Sequence, residues 1–155
     1  MVVLVPFDGS VLSKSALLHA ERASKLYEES LLAVTVVPRQ NAEYARENGW
    51  ITEDEEFDRD TIVSRLEAQV SEIAPEAAFE HILVDRYSSS GTISSRIRRV
   101  ARKRDTAAIF IGSKNAGHSI IGAASVGGRV AHEDAYDLAI IRTPLPTVES
   151  MARQR

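Results

Sequence analysis

The sequence has no cysteine, which excludes disulfides, thiolate metal sites and a cysteine nucleophile. Proline and glycine are also scarce, at five and eight of 155 residues, so the chain is neither fibrous nor of low complexity. No apolar run approaches the roughly 18 residues that span a membrane. The start of the chain lacks the basic segment of a signal peptide. Since the absence of cysteine fits a reducing compartment, we expect a cytoplasmic protein with no membrane partner.

The remaining composition is that of an ordinary globular domain, with 44% apolar and 26% charged residues and a net charge of −3. A chain of this length buries enough surface for one core and is short for two. We therefore predict a single domain over residues 1–144, carrying an insert at about 38–56. Residues 145–155 follow as a tail, whose prolines and lack of apolar periodicity predict a loose segment.

Short apolar segments alternate along the chain with helical patterns. Runs of this length without polar alternation are typical of strands buried on both faces. The predicted strands are 2–7, 31–37, 79–84, 106–111 and 138–142. Strands alternating with helices predict a parallel sheet with helices on both of its faces, an α/β fold.

Four helices are predicted between the strands from apolar residues spaced three or four positions apart. Either Ser10 or Ser13 can cap the first helix. The predicted apolar stripes are Ala16, Ala20, Ala23 and Tyr27 in the first helix, Ile62, Leu66, Val70 and Ile73 in the second, Ile93, Ile97 and Val100 in the third, and Val126, Val130 and Ala131 in the fourth. The polar stretch 38–56, which carries Trp50, is long enough to form a lid, a binding loop or an added helix.

Two strands end in small polar residues, where open α/β sheets bind ligands. The first ends in Asp8-Gly9-Ser10, and the fourth ends at Gly112, within a stretch from 112 to 128 that holds five of the eight glycines. Glycines let a backbone approach a phosphate closely. Ser125 and Val126 would begin a helix whose free amides attract anions.

Asp8 would repel phosphate, so its carboxylate would accept from an amino or hydroxyl group at the other end of a ligand. An acidic end and an amide-lined end suggest a nucleotide, with base or ribose near Asp8 and phosphates near the glycines. The spacing alone leaves a plain glycine turn open, and a lone aspartate at the position of Asp8 is more often a helix-capping residue than a ligand group. The motif is neither the Walker A pattern nor Gly-x-Gly-x-x-Gly.

These segments resemble the universal stress protein family. The resemblance lies in residues 3–10 with the alanine-rich helix that follows, in 32–38, and in 109–113 through 125–130 to 140–144. It implies a five-stranded parallel sheet in the order 3-2-1-4-5 with helices on both faces, the fold of adenine nucleotide alpha hydrolase-like proteins. Strands one and four would flank the site.

The resemblance also implies which residues bind a nucleotide. Three residues would bind the adenosine part: Pro6, Asp8 and Val36. Five would bind the phosphates: Gly112, Asn115, Ala124, Ser125 and Val126. The family's phosphate pattern is Gly-x-x-Gly, nine residues, then Gly-Ser or Gly-Thr. Here Asn115 stands where the second glycine belongs, Ala124 replaces the last glycine, and the spacing to Ser125 is one residue short.

We accordingly expect a stress-associated module that binds or senses ATP or another adenine nucleotide, with Mg²⁺ held through the phosphates. We do not expect an enzyme, beyond slow and incidental ATP hydrolysis. Two alternatives remain: a nucleotide-independent interaction protein that meets a protein partner through the Trp50 region or a basic helix, and an enzyme acting on adenylated small molecules.

Six basic residues crowd the third helix and its end: Arg96, Arg98, Arg99, Arg102, Lys103 and Arg104. The favoured interpretation is a solvated face paired with acidic residues such as Glu67 and Glu72. An acidic partner is the alternative, and the lack of interleaved aromatics argues against nucleic acid.

The last predicted strand, 138–142, is apolar, uncharged and placed at an edge of the sheet. Edge strands are usually covered or paired. Pairing with a symmetry-related copy closes the sheet edge, and family members dimerise through this strand. The sequence therefore predicts a homodimer through 138–142.

Overall fold

The computed structural model describes residues 1–112 and 136–148. Residues 146–148 are helical, and the described residues before them form five strands and four helices. In chain order these are β1 (Val2–Pro6), α1 (Val11–Tyr27), β2 (Ser30–Pro38), α2 (Ala42–Glu47), α3 (Arg59–Ile73), β3 (Ala78–Val84), α4 (Ser90–Lys103), β4 (Thr106–Gly112) and β5 (Asp137–Ile141).

The strands form one parallel sheet in the order β3-β2-β1-β4-β5, which confirms the predicted fold. Because β1 pairs with β2 on one side and with β4 on the other, the strand order reverses between β1 and β4. The carboxyl ends of these two strands therefore lie side by side. The predicted helix at 125–132 lies outside the described residues.

Alternate residues of the central strands enter two different cores. Val3 and Val5 of β1 face the core formed with α1 and α3, where Leu17 and Leu66 are fully buried. On the other face, Leu4 joins the core formed with α4. Burial on both faces explains why these strands lack polar alternation.

Serine caps set where α1 and α4 begin, and an aspartate, Asp58, caps α3. Ser10 caps α1, since its hydroxyl accepts a hydrogen bond from the amide of Ser13 at 3.1 Å. Ser13 is itself buried one turn into the helix. The prediction that Tyr27 belongs to the buried stripe of α1 is wrong, because the side chain is 70% exposed at the last helical residue.

The insert forms an added helix, one of the three predicted possibilities. Pro38 still belongs to β2, and α2 begins after Asn41, whose side chain accepts from the amide of Tyr44 at 2.9 Å. After α2, Trp50 and Ile51 are both buried in the core with α1 and α3. The insert is therefore part of the fold and packs over the carboxyl end of β1.

An ion pair fastens the insert to α3. Arg65 donates to both carboxylate oxygens of Glu55, at 2.6 and 3.1 Å, and to the carbonyl of Trp50 at 2.9 Å. The amide of Thr52 also donates to Glu55, at 2.9 Å. These hydrogen bonds, led by those of Arg65, lower the pKa of Glu55 from 4.5 to about 2.

The described part of the tail is anchored and not loose. The amide of Leu145 donates to the hydroxyl of Ser15 in α1 at 3.0 Å, and Val148 is buried. The sequence did not predict this attachment because prolines flank Leu145 and interrupt any periodicity.

The basic residues of α4 do not face the acidic residues first assigned to them. Glu67 and Glu72 belong to α3, which packs on the opposite face of the sheet from α4. Arg104 instead pairs with Glu80 of β3 at 3.0 Å. None of the helices described in 1–112 and 136–148 is both long and apolar enough to cross a membrane.

Gly112 marks the closest approach of β4 to α1. A Cβ atom placed there would overlap the carbonyl group of Leu12 and lie 2.7 Å from the amide nitrogen of Ser13. These are backbone atoms of the first turn of α1, which cannot rotate away as a side chain would. Only glycine therefore fits at the end of β4.

We predict that Gly112→Ala destabilises the protein by about 2–3 kcal/mol, the upper range for an overpacked site. For a domain of this size the midpoint of thermal unfolding should fall by roughly 5–10 °C. Gly91→Ala is the matched control, because a Cβ there meets only the Ser89 hydroxyl at 3.6 Å. The unfolding midpoint of Gly91→Ala should equal or exceed that of wild type. Equal unfolding midpoints of Gly112→Ala and Gly91→Ala would contradict the prediction.

We predict that the Glu55–Arg65 pair gives an acid-sensitive contribution to stability. Because folding lowers the pKa of Glu55 from 4.5 to about 2, the contribution is complete above about pH 4.5 and is lost as the pH falls towards 2. In urea unfolding at pH 7, the free energy of unfolding should be larger for wild type than for Glu55→Gln. This difference should shrink as the pH falls from about 4.5 towards 2. Glu53→Gln, which removes an exposed carboxylate from the same loop, is the control. A difference between wild type and Glu55→Gln that is constant from pH 7 to 2 would refute the assignment.

Candidate functional site

A cavity of about 150 Å³ lies at the carboxyl edge of the sheet, where the strand order reverses. Its floor comes from β1 and the turn after it, through Pro6, Phe7 and Asp8, and from Ile111 and Gly112 of β4. Ligands in open α/β folds bind at this position because the connections diverge there and leave a crevice.

Aliphatic side chains line most of the cavity. Val34 and Val36 contribute from β2, and Ile93 and Ile97 contribute from α4. Polar side chains come from Asp8, Ser13 and Tyr44, and the Ser13 hydroxyl already donates to the carbonyl of Ser10 at 3.0 Å. A pocket with apolar walls and few polar groups suits a flat, mostly apolar ligand that is oriented by specific hydrogen bonds.

Asp8 is held in place by its own turn. Its Oδ1 atom accepts from the amide of Ser10 at 2.9 Å, an Asx-type contact that precedes α1. The carbonyl of Phe7 just before it accepts from the buried hydroxyl of Thr35 at 2.7 Å. The helix-capping role considered for Asp8 from the sequence belongs to Ser10 instead, and Asp8 uses one of its two carboxylate oxygens to bind the amide of that capping residue.

The insert supplies the remaining polar side of the cavity. The indole nitrogen of Trp50 donates to the carbonyl of Asp8 at 2.8 Å, and the Trp50 ring meets that of Tyr44 edge to face at 5.5 Å between centroids. Burial raises the pKa of the Tyr44 hydroxyl, and the charges of Asp8 and then Glu47 raise it further. The Tyr44 hydroxyl is therefore protonated at neutral pH.

Trp50 itself is unavailable as a contact surface. It is only 5% exposed, and its indole nitrogen is already hydrogen-bonded. The hypothesis that the Trp50 region meets a partner stays a prediction, and any such contact would be made by the exposed residues around Trp50 and not by its buried ring.

The structure brings four of the eight predicted site residues to one cavity: Pro6, Asp8, Val36 and Gly112. The other four lie outside the described residues: Asn115, Ala124, Ser125 and Val126. Glycine is also required at position 112 for packing, because a side chain there would overlap the backbone of α1. The spacing of glycines in the sequence did not reveal this requirement.

Sequence reasoning missed Tyr44 as a site residue. The signal available was the pair of aromatic residues, Tyr44 and Trp50, within an otherwise polar stretch. Ile93 and Ile97 were predicted as core positions of a helix, and they serve both the core and the cavity wall.

Two larger grooves lie elsewhere on the described surface. One, of about 500 Å³, lies at the amino edge of the sheet among charged residues that include Glu21, Lys25 and Glu28. The other, of about 440 Å³, lies between Arg39 and Asp60 near the outer strands. Neither is at the reversal of strand order, so volume alone does not identify the site. Within residues 1–112 and 136–148, no three His, Asp or Glu side chains are grouped to hold a metal ion.

The fold has several solved counterparts. The universal stress protein from Archaeoglobus fulgidus is 16% identical, with 91% of this chain and 97% of that one covered at a TM-score of 0.53. A structure of the A. fulgidus protein in complex with dAMP is 17% identical, covers 91% and 96% and has a TM-score of 0.54. A universal stress protein in complex with cAMP is 17% identical, covers 92% and 97% and has a TM-score of 0.53. At these identities the likeness concerns the fold.

No curated protein matches the chain. The family model described as the universal stress protein family matches residues 1–142, which is nearly the whole domain and confirms the resemblance drawn from the sequence. The chain therefore belongs to the universal stress protein family.

Proposed function

We propose that this chain binds or senses an adenine nucleotide, as a homodimer in the cytoplasm with a stress-associated role. The observation that carries the proposal is the cavity between β1 and β4, in which the Asp8 carboxylate lies among the aliphatic side chains of Val36, Ile97 and Ile111. A purine ring fits between such walls, and a carboxylate accepts hydrogen bonds from a nucleoside's amino or hydroxyl groups.

The size of the cavity agrees with a partial site. Complete small-molecule sites enclose roughly 300–1,000 Å³, whereas the residues around Asp8 enclose about 150 Å³. We assign this part to the nucleoside. The phosphates would be held by the segment that carries Asn115, Ala124, Ser125 and Val126, and Mg²⁺ would bind through them.

The complexes of related folds with dAMP and cAMP support an adenine nucleotide over other ligands. Whether ATP, AMP or a cyclic nucleotide is preferred depends on the phosphate side, where the sequence departs from the family pattern. The proposed activity is binding, with ATP hydrolysis at most slow and incidental.

We expect nucleotide-stripped protein to be stabilised by ATP, ADP or AMP in thermal unfolding. At a ligand concentration 100 times Kd the gain should be about 2.7 kcal/mol. Asp8→Asn keeps the acceptor for Ser10 and removes the charge, so it should weaken binding about 10- to 100-fold, as for hydrogen bonds to charged groups. Isothermal titration calorimetry measures both affinities.

Asp85→Asn is the matched control for Asp8→Asn, because Asp85 follows the outer strand β3, is exposed and lies outside the cavity. Its affinity should equal that of wild type. Absence of any stabilisation by millimolar nucleotide would reject the proposal, and so would equal affinities of wild type and Asp8→Asn.

The homodimer is proposed through β5. This strand lies at one edge of the sheet, and its residues from Leu138 to Ile141 are uncharged and half-buried. The opposite edge, β3, instead carries Glu80, paired with Arg104, and the exposed His81. Charged edges resist pairing between chains and apolar edges favour it, so β5 is the better candidate.

We predict that sedimentation equilibrium at micromolar concentration gives twice the 17.0 kDa mass of one chain. Ile140→Lys places a charge on β5 and should yield monomers. Leu26→Lys is the control, because Leu26 is 76% exposed in the last turn of α1 and is not part of β5, and this variant should remain dimeric. Circular dichroism establishes that each variant is folded. A wild-type mass near that of one chain would rule out the dimer.

A nucleotide-independent interaction protein is the second candidate function, favoured by the basic surface of α4. Arg99, Arg102 and Lys103 are exposed there, and the helix contains no acidic residue. An acidic protein partner suits this surface by charge. The molecules that co-purify with the protein distinguish the two candidate functions. Nucleotide extracted from the purified protein and identified by mass spectrometry would favour nucleotide binding.

A further inference from the structure

Tyr44 is the cavity residue that comes from the insert. It lies on α2, the helix of the insert, and its side chain reaches the same cavity as Asp8. The insert thus adds an aromatic hydroxyl to a pocket whose other polar side chains, Asp8 and Ser13, come from the first βα unit.

Several contacts fix the position of Tyr44. The amide of Tyr44 donates to Asn41 at 2.9 Å, and its carbonyl accepts from the Asn48 side chain at 2.9 Å. Its ring meets Trp50, whose indole nitrogen is bound to the carbonyl of Asp8 at 2.8 Å. The ring is therefore linked through Trp50 to the residue that carries the carboxylate, so both groups keep a defined relation in the absence of ligand.

The two groups have complementary hydrogen-bonding capacity. An ionised carboxylate only accepts, whereas a tyrosine hydroxyl carries one proton to donate. Burial is the main cause of the raised pKa of the Tyr44 hydroxyl, and the negative charge of Asp8 raises it further. The hydroxyl therefore keeps its proton. The oxygen of the tyrosine hydroxyl can also accept, but its proton needs an acceptor, which an oxygen that donates to Asp8 supplies at the same atom. A sugar hydroxyl does both, whereas the amino group of adenine donates and is a poor acceptor.

We propose that Tyr44 is a specificity-determining residue that, together with Asp8, binds a sugar hydroxyl of the nucleotide. This inference rests on the proposed nucleotide function and extends it, since it assigns the acidic end of the cavity to the ribose and not to the base. It also gives the insert a role in ligand selection beyond its role in the fold.

The test is a comparison of ATP with 2′,3′-dideoxy-ATP, measured by isothermal titration calorimetry on wild type and Tyr44→Phe. The variant keeps the ring and its contact with Trp50, and it removes only the hydroxyl. Loss of one hydrogen bond should weaken ATP binding about 2- to 10-fold, while the affinity for the dideoxy analogue stays within about twofold. Tyr27→Phe is the matched control, because Tyr27 is 70% exposed at the far end of α1, and it should change neither affinity.

A parallel titration with inosine triphosphate, which lacks the amino group of adenine, separates sugar from base. Equal weakening of ATP and the dideoxy analogue by Tyr44→Phe, or no weakening of either, overturns the inference. The ratio of the affinities for ATP and inosine triphosphate is the second readout. If this ratio is smaller in Tyr44→Phe than in wild type, Tyr44 contacts the base and the inference is overturned. In all three cases wild type still binds ATP, so the proposed function survives. Failure of wild type to bind any nucleotide rejects both.

Discussion

The contact between Gly112 and the first turn of α1 is the constraint on which the site depends. The end of β4 approaches the backbone of Leu12 and Ser13 so closely that no side chain fits between them. This approach packs the carboxyl end of β4, the strand paired with β1, against the first turn of α1. The crevice at the reversal of strand order, with Asp8 on one side and Gly112 on the other, follows from it. A glycine that the sequence presents as a phosphate-binding residue is thus already required by the packing of two backbones.

A second layer of organisation comes from the insert, which is attached to the central sheet by few but well-placed contacts. Trp50 is bound to the carbonyl of Asp8, and Arg65 holds Glu55 and the carbonyl of Trp50 from α3. The segment between β2 and α3 is therefore held from both sides. Because it carries Tyr44 into the cavity, the packing of the insert and the chemistry of the pocket cannot be changed independently.

The sequence predicted the sheet well because its physical signals are strong. Strands buried on both faces give unbroken apolar runs, and the family resemblance supplied their order, which periodicity alone does not contain. The ends of α1 were harder to predict: Tyr27 continues the apolar spacing, but the helix stops there and the ring remains in solvent. Asp8 was predicted to line the site because its place at a strand end is local, and Val36 was predicted through the family resemblance. Tyr44 was not, since its arrival at Asp8 depends on how Trp50 packs more than 40 residues away from β1 in the chain.

The anchoring of Leu145 on Ser15 has a consequence for how the molecule forms during synthesis. The central strand β1 emerges first from the ribosome, but one of its two neighbours, β4, is made only after about 100 further residues. The hydrogen bond to the Ser15 hydroxyl forms later still, because its donor, the amide of Leu145, is 130 positions further along the chain. Contacts of such long sequence separation form slowly, since the intervening chain must lose much of its freedom before they can close. The amino-terminal half therefore cannot complete its sheet until β4 has been made, and the contact of Leu145 with Ser15 forms later still.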